Sequence, residues 1–145
     1  MSCLIIAEAG VNHNGDIRLA KKLVDVSYNA GVDYIKFQTF KADNLATAKA
    51  RKAEYQKSHT LIEESQYSML KRLELSYQDF IVLDNYCQTK GISFLSTPFD
   101  IESITFLDEL GMRVWKIPSG EVTNYPYLVK VAETHKPIIM STGMC

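Results

Sequence analysis

The feature that most constrains this chain is a repeated unit in which a helix-like stretch stops, a short apolar run follows, and that run ends in small polar residues. A helical pattern stops at Gly31 and leads into Tyr34-Ile35-Lys36-Phe37-Gln38-Thr39. A second stops at Gly91 before Ile92-Ser93-Phe94-Leu95-Ser96-Thr97-Pro98-Phe99, and a third stops at Gly111 before Val114-Trp115-Lys116-Ile117-Pro118-Ser119-Gly120-Glu121. A fourth opens at Asn124 with Pro126 in its first turn and runs to about Thr134. It feeds Lys136-Pro137-Ile138-Ile139-Met140-Ser141-Thr142-Gly143. Glycine just past the last turn is a usual helix stop, and Pro suits the first turn. An apolar run at residues 4–9 adds an opening strand, so five strands are expected. Strands alternating with helices at this spacing argue for a parallel α/β sheet, with right-handed crossovers placing the helices outside it.

Within the first helix, residues 17–30, Leu19, Ala20, Leu23, Val24, Ser27 and Ala30 recur at helical spacing, with Arg18, Lys21, Lys22, Asp25 and Asn29 opposite. Asp16 is its expected cap, and Ser76 caps another helix that ends near Lys90. One connection breaks the rhythm. Between Phe40 and Ser76, residues 46–57 and 63–73 read as helical, and both extra packing and a functional excursion stay open. A complete (β/α)8 barrel needs about 250 residues. The 145 residues here are therefore expected to be the N-terminal part, about five βα units, of a TIM barrel. The alternative is an open doubly wound domain; the polar end on every strand favours the barrel.

Composition narrows the function classes. A hydrophobic fraction of 46% with 23% charged residues is that of an ordinary globular domain. The formal net charge of −1 gives no electrostatic case for nucleic acid or an anionic membrane. No apolar run approaches a membrane span, and no signal-type segment opens the chain. Cys3, Cys87 and Cys145 are too widely spaced for a zinc motif or a disulfide framework. All three read as small buried hydrophobes in a cytoplasmic protein.

Two strands carry a lysine in their middle, where an unpartnered ammonium is costly to bury. Alternation puts Val114 and Lys116 on one face and Trp115 and Ile117 on the other, the latter suited to helical cover. Likewise Tyr34, Lys36 and Gln38 share a face. In parallel α/β folds, sites collect where the strands end. There stand Glu8, Lys36, Gln38, Ser96, Thr97, Lys116, Ser119, Glu121, Ser141 and Thr142. Lys36 and Lys116 with Thr97 and Ser119 would suit a small anion bearing phosphate and carboxylate together. The competing reading is a structural ion pair of one lysine with Glu8 or Glu121; two such lysines beside so many hydroxyls argue against it. Glu8 and Glu121 are the carboxylates placed to act on water or a substrate hydroxyl. His13 reads as a turn or hydrogen-bonding residue, and His59 and His135 as surface residues. No metal site assembles from this chain alone.

Several stretches, in order, resemble the sialic acid synthase family. They are Ile6-Ala7-Glu8-Ala9-Gly10-Val11-Asn12-His13-Asn14-Gly15, Lys36-Phe37-Gln38-Thr39-Phe40-Lys41-Ala42, Lys52-Ala53-Glu54-Tyr55-Gln56, Ser96-Thr97-Pro98-Phe99, Lys116-Ile117-Pro118-Ser119-Gly120-Glu121 and Ser141-Thr142-Gly143-Met144. Within it the bacterial N-acetylneuraminate synthases are most alike, with legionaminate and pseudaminate synthases as near relatives. The resemblance implies a TIM-barrel transferase of carbohydrate biosynthesis that condenses phosphoenolpyruvate with N-acetylmannosamine or a related N-acyl amino sugar. The products are a 2-keto sugar acid, N-acetylneuraminate (sialic acid), and phosphate; the alternatives are another phosphoenolpyruvate-dependent aldol synthase of the same barrel type and a non-catalytic phosphosugar-binding module. By motif, Lys36, Thr97, Lys116 and Ser119 match phosphoenolpyruvate-binding positions, Gln38 the amino-sugar side, and Glu8 and Glu121 the carboxylates that handle water and protons. A divalent metal, manganese or magnesium, is implied for the complete enzyme. Its histidine ligands are expected beyond this chain, as are the rest of the barrel and a C-terminal antifreeze-like domain. The implied assembly is a homodimer, and the 145-residue chain by itself is expected to be inactive.

Overall fold

Side-chain caps fix where most of the helices begin. In a computed structural model, which describes residues 3–47 and 65–145, Asp16 accepts the Arg18 N–H and opens α1 (Ile17–Asn29). Hydrogen bonds from Arg18 hold the Asp16 carboxyl down at about 2. Strand β1 (Ile6–Gly10) precedes this helix and β2 (Tyr34–Thr39) follows it. Next come a four-residue helix α2 (Ala42–Leu45) and α3 (Gln66–Leu73), which is capped by Ser65. Ser76 and Asp79 form a reciprocal capping box on α4 (Tyr77–Lys90), which ends at Gly91 in the left-handed region. Beyond it lie β3 (Ser93–Pro98), α5 (Ile101–Glu109) capped by Asp100, and β4 (Trp115–Ile117) with a 3-10 turn at Ser119–Glu121. Helix α6 (Tyr125–Ala132), capped by Asn124, and β5 (Ile138–Met140) complete the order.

All strand pairings are parallel. Strands β1, β2 and β3 are neighbours in that order, and β4 pairs with β5. Glu8 stands opposite Lys36, Gln38 opposite Thr97, and Lys116 opposite Ile139. One face of these strands is the core. Ile35 and Phe37 of β2 pack with Ala20 and Val24 of α1 and with Phe80, Leu83 and Cys87 of α4. Trp115 and Ile117 of β4 pack with Ile104 and Leu107 of α5 and with Tyr127 and Val131 of α6. The helices thus cover the Trp115 side, as alternation predicts. The opposite face is layered. Near the strand starts it is apolar, and a cavity of about 280 Å³ is lined there by Ile6, Tyr34, Leu95, Val114 and Ile139 among others. Toward the strand ends the same face carries Glu8, Lys36, Gln38, Thr97, Lys116 and Ser141.

Several expectations need correction. Leu4 and Ile5 are 56% and 53% exposed, and pairing starts at Ile6, because no described strand covers that edge of β1. Cys87 is buried, with its thiol pushed up to about 12 by burial, but Cys3 and Cys145 are exposed and are not core residues. They lie outside the packed strands and helices, where nothing covers a thiol. In the 40–76 connection, Ala46 is extended and ends α2, so no helix starts there. The remainder of the expected 46–57 helix, the Lys52-to-Gln56 motif and His59 lie outside the described residues. The 63–73 helix is present as Gln66–Leu73. No helix among the described residues is long and apolar enough to cross a membrane.

Candidate functional site

The two strand-centre lysines reach the same face by different routes. Lys36 is 8% exposed and forms an ion pair with Glu8 across the β1–β2 pair. Its ammonium also lies 3.4 Å from Thr97 Oγ1 on β3. A structural ion pair is therefore realised for Lys36. Lys116 differs. Its Nζ donates to Ser141 Oγ at 2.7 Å and to the Ile117 carbonyl at 2.8 Å, and it forms no ion pair with a carboxylate among the described residues. Burial lowers its pKa, the neighbouring Lys36 charge lowers it further, and Glu8 opposes both. The two ammonium groups thus feel each other, and only Lys36 is neutralised by contact. A part-buried cation repelled by a second cation is an electrostatic vacancy for an anion.

Of the remaining predicted residues, Glu8, Thr97 and Gln38 gather at the Lys36 end of this pair, and Ser119 and Glu121 do not meet either lysine. Gln38 Nε2 and Glu8 Oε1 both stand within 4 Å of where a side chain on Gly10 would begin, so Gly10, at φ +53°, leaves room for the two polar groups. Glu8 is half-exposed, its side chain 54% accessible, and so reaches solvent as well as Lys36. Thr97 is buried at the end of β3. Ser119 and Glu121 sit in the 3-10 turn after β4, where Glu121 accepts a hydrogen bond from Asn124 at 2.7 Å. That bond ties Glu121 to the start of α6 and not to either lysine.

Ser141 is the residue that sequence reasoning placed at a strand end without assigning it to the anion. Its signal is the parallel register of β4 with β5, which carries it two residues past the partner of Lys116 and onto the same face. A buried hydroxyl pair, Thr39 Oγ1 to Ser96 Oγ at 2.7 Å, lies on the helix-facing side and acts in packing. His13 is a hydrogen-bonding loop residue as read: it is 1% exposed, and its Nδ1 accepts the Gly15 N–H at 3.1 Å. Its Nε2 is buried without a partner among the described residues, and burial lowers its pKa. His135 is exposed.

Among the described residues no three His, Cys, Asp or Glu side chains come together as a metal cage requires. These residues do not fit the implied divalent metal, and none of the chemistry proposed for them runs through one. A cavity of about 410 Å³ lies elsewhere, lined by Tyr34, Asp84, Gln88 and Arg113 among others, at the opposite end of the strands from the lysines. The lysine site is an open, polar strand-end face.

Comparison with known proteins gives the chain its family. The NeuB family matches residues 23–145. The N,N'-diacetyllegionaminic acid synthase of Campylobacter jejuni is 54% identical over 141 residues, covering 97% of this chain and 42% of that protein. The synthase of the same name from Legionella pneumophila is 54% identical over 145 residues, covering 100% of this chain and 41% of that protein. This chain thus spans about two fifths of the length of these relatives. Among solved structures, the N-acetylneuraminic acid synthetase of Leptospira borgpetersenii superposes with a TM-score of 0.80 at 28% identity, covering 99% of this chain and 46% of that one. With the family matching most of its residues and relatives more than half identical along nearly all of its length, the chain belongs to the NeuB family.

Proposed function

We propose that this chain supplies the phosphoenolpyruvate side of a synthase that joins phosphoenolpyruvate to an N-acyl amino sugar. The reaction yields a 2-keto sugar acid and inorganic phosphate. The preferred sugar is a diacetamido aldose, because both relatives at 54% identity are named N,N'-diacetyllegionaminic acid synthases. N-acetylmannosamine, favoured by the motifs alone, becomes the comparison substrate. In this reading the five strands are the first part of a (β/α)8 barrel. Strand orders β1-β2-β3 and β4-β5, both sequential, and helices that among the described residues pack on the Trp115 side alone support that over a doubly wound sheet. The remaining barrel strands and a further domain belong to the length that the relatives have in addition.

The observation that carries the proposal is Lys116, a part-buried ammonium held on a hydroxyl and a carbonyl, with no carboxylate pairing it among the described residues. Phosphate brings the missing negative charge. Lys36, Thr97, Ser119 and Ser141 supply the other donors around it, and Lys36 shares its charge between Glu8 and the incoming anion. C3 of phosphoenolpyruvate forms the new bond to the sugar aldehyde carbon, whose oxygen takes up a proton. Water adds at C2, giving up a proton to Glu8 or Glu121. The bond from C2 to the phosphate oxygen then breaks, phosphate leaves with the electron pair and takes up the proton of the new C2 hydroxyl, and C2 becomes the ketone. Gln38 lies beside Gly10 and Glu8 at the edge of the anion site, where it can hydrogen-bond an N-acyl or hydroxyl group.

The test is phosphate release from phosphoenolpyruvate by the chain completed to the length of its relatives, with manganese present. A diacetamido aldose, N-acetylmannosamine and an aldose phosphate are compared. Release that depends on the sugar and is fastest with the diacetamido aldose supports the proposal. Release with the aldose phosphate alone, or with none of them, overturns it.

A further inference from the structure

A second carboxylate system stands behind β2, outside the proposed site. Leaving the strand, the Lys41 N–H donates to Asp100 Oδ2 at 2.8 Å, and the next N–H, of Ala42, donates to Glu74 Oε2 at 2.9 Å. Asp100 is already the cap of α5, bonding the N–H and the hydroxyl of Ser103. Glu74 lies just past α3, its side chain only 12% accessible, with the Lys41 ammonium 3.5 Å away and that of Lys71 at 3.4 Å. The Lys41 ammonium also sits 3.9 Å from the centre of the Tyr77 ring. The point where the longest connection of the chain leaves the sheet is thus pinned through its backbone. A buried carboxylate spent on a main-chain N–H fixes the path of the chain more firmly than one spent on a flexible side chain.

What this pinning serves follows from who else is held. Lys36 has Glu8 and Thr97, and Lys116 has Ser141 and a carbonyl. The Gln38 side chain has no hydrogen-bond partner among the described residues, so its place follows the backbone of β2, which is held by pairing to β3 and, four residues on, at Ala42. We propose that Glu74 is a positioning residue for the amino-sugar side of the site, acting through the Ala42 N–H to hold the end of β2 and with it Gln38. This rests on the synthase reading given above.

The experiment uses the completed protein and separates the two substrates. Glu74→Ala is expected to raise the KM for the amino sugar about tenfold, the worth of one charge-assisted hydrogen bond, and to leave the KM for phosphoenolpyruvate within about twofold. Glu74→Gln keeps an acceptor oxygen for Ala42 and should restore most of the sugar KM. Lys41→Met removes the ion pair and spares the backbone bond, and should leave both constants near wild type. If the alanine variant fails to fold, Glu74→Asp keeps the charge but shortens the reach by one methylene, and should show the same selective rise. A sugar KM that stays unchanged, or both KM values rising together, overturns the positioning role. Wild-type protein that releases no phosphate with any amino sugar overturns the synthase reading instead.

Discussion

Replacing Lys116 with methionine separates binding from stability. The ammonium has three N–H donors. Two are engaged by Ser141 and the Ile117 carbonyl, which leaves one for an incoming anion. One hydrogen bond to a charged group is worth about 1.5–3 kcal/mol, which corresponds to about 10- to 150-fold in affinity. Methionine keeps an unbranched apolar stem and lacks the terminal ammonium, so the loss falls on the charge. Folding should respond differently. The wild-type cation is partly desolvated and repelled by Lys36, so removing it relieves two unfavourable terms. Of the two oxygens it leaves, the Ile117 carbonyl still accepts the Ser141 N–H at 3.0 Å, and the half-exposed Ser141 hydroxyl can take water. We therefore expect Lys116→Met to weaken phosphoenolpyruvate binding by about 10- to 150-fold, to change amino-sugar affinity by less than about threefold, and to unfold at the same temperature as wild type or slightly above it. Calorimetric titration with phosphoenolpyruvate and a thermal melt on one preparation read both quantities. Undiminished phosphoenolpyruvate affinity would refute the anion site. A large loss of stability would show instead that Lys116 is a structural cation.

Two further predictions concern the loop after β1. His13 has its pKa lowered below 6.5 by burial, the charge of Asp79 opposing, so the folded state prefers the neutral ring. Its contribution to stability is whole above pH 6.5 and is lost as the pH falls below that value toward the folded pKa. His13→Asn keeps an acceptor for the Gly15 N–H and should flatten that acid loss in urea melts between neutral and acidic pH; equal slopes in the two proteins would count against it. Gly15 has φ +75°, and a Cβ there would stand 2.3 Å from the Arg72 carbonyl oxygen. Gly15→Ala should cost at least about 2 kcal/mol, from the left-handed backbone together with the displaced turn, and denaturant midpoints would show it. A neutral substitution would mean that the loop can leave α3 freely.

How much of this was legible in the sequence depends on the range of the forces involved. Strand alternation placed Lys36 and Gln38 on one face and Trp115 and Ile117 on the other, because the pleat is a local property. The Ser76, Asn124 and Asp16 caps were equally local, each satisfied within three residues. The contacts that distinguish the two lysines were not local. Glu8 meets Lys36, and Ser141 meets Lys116, only through the registers of two parallel pairs that the sequence does not state. Leu4 and Ile5 read as strand for their hydrophobicity, yet a strand residue is buried only if something covers it. The four-residue helix α2 had no periodicity to find, since Glu74 and Asp100 hold it from a distance. Buried Cys87 and exposed Cys3 and Cys145 show the same limit, for nothing in a lone cysteine's neighbours fixes its depth.

Lysine protection tests the central claim most directly. The completed protein is treated with an amine-acylating reagent, with and without saturating phosphoenolpyruvate, and the labelled lysines are identified by mass spectrometry. Lys116 should label in the free protein and be shielded by phosphoenolpyruvate, with a smaller change at the buried, Glu8-paired Lys36 and none at exposed Lys22. Labelling of Lys116 that is unaffected by phosphoenolpyruvate would contradict the anion site on which the proposed function stands.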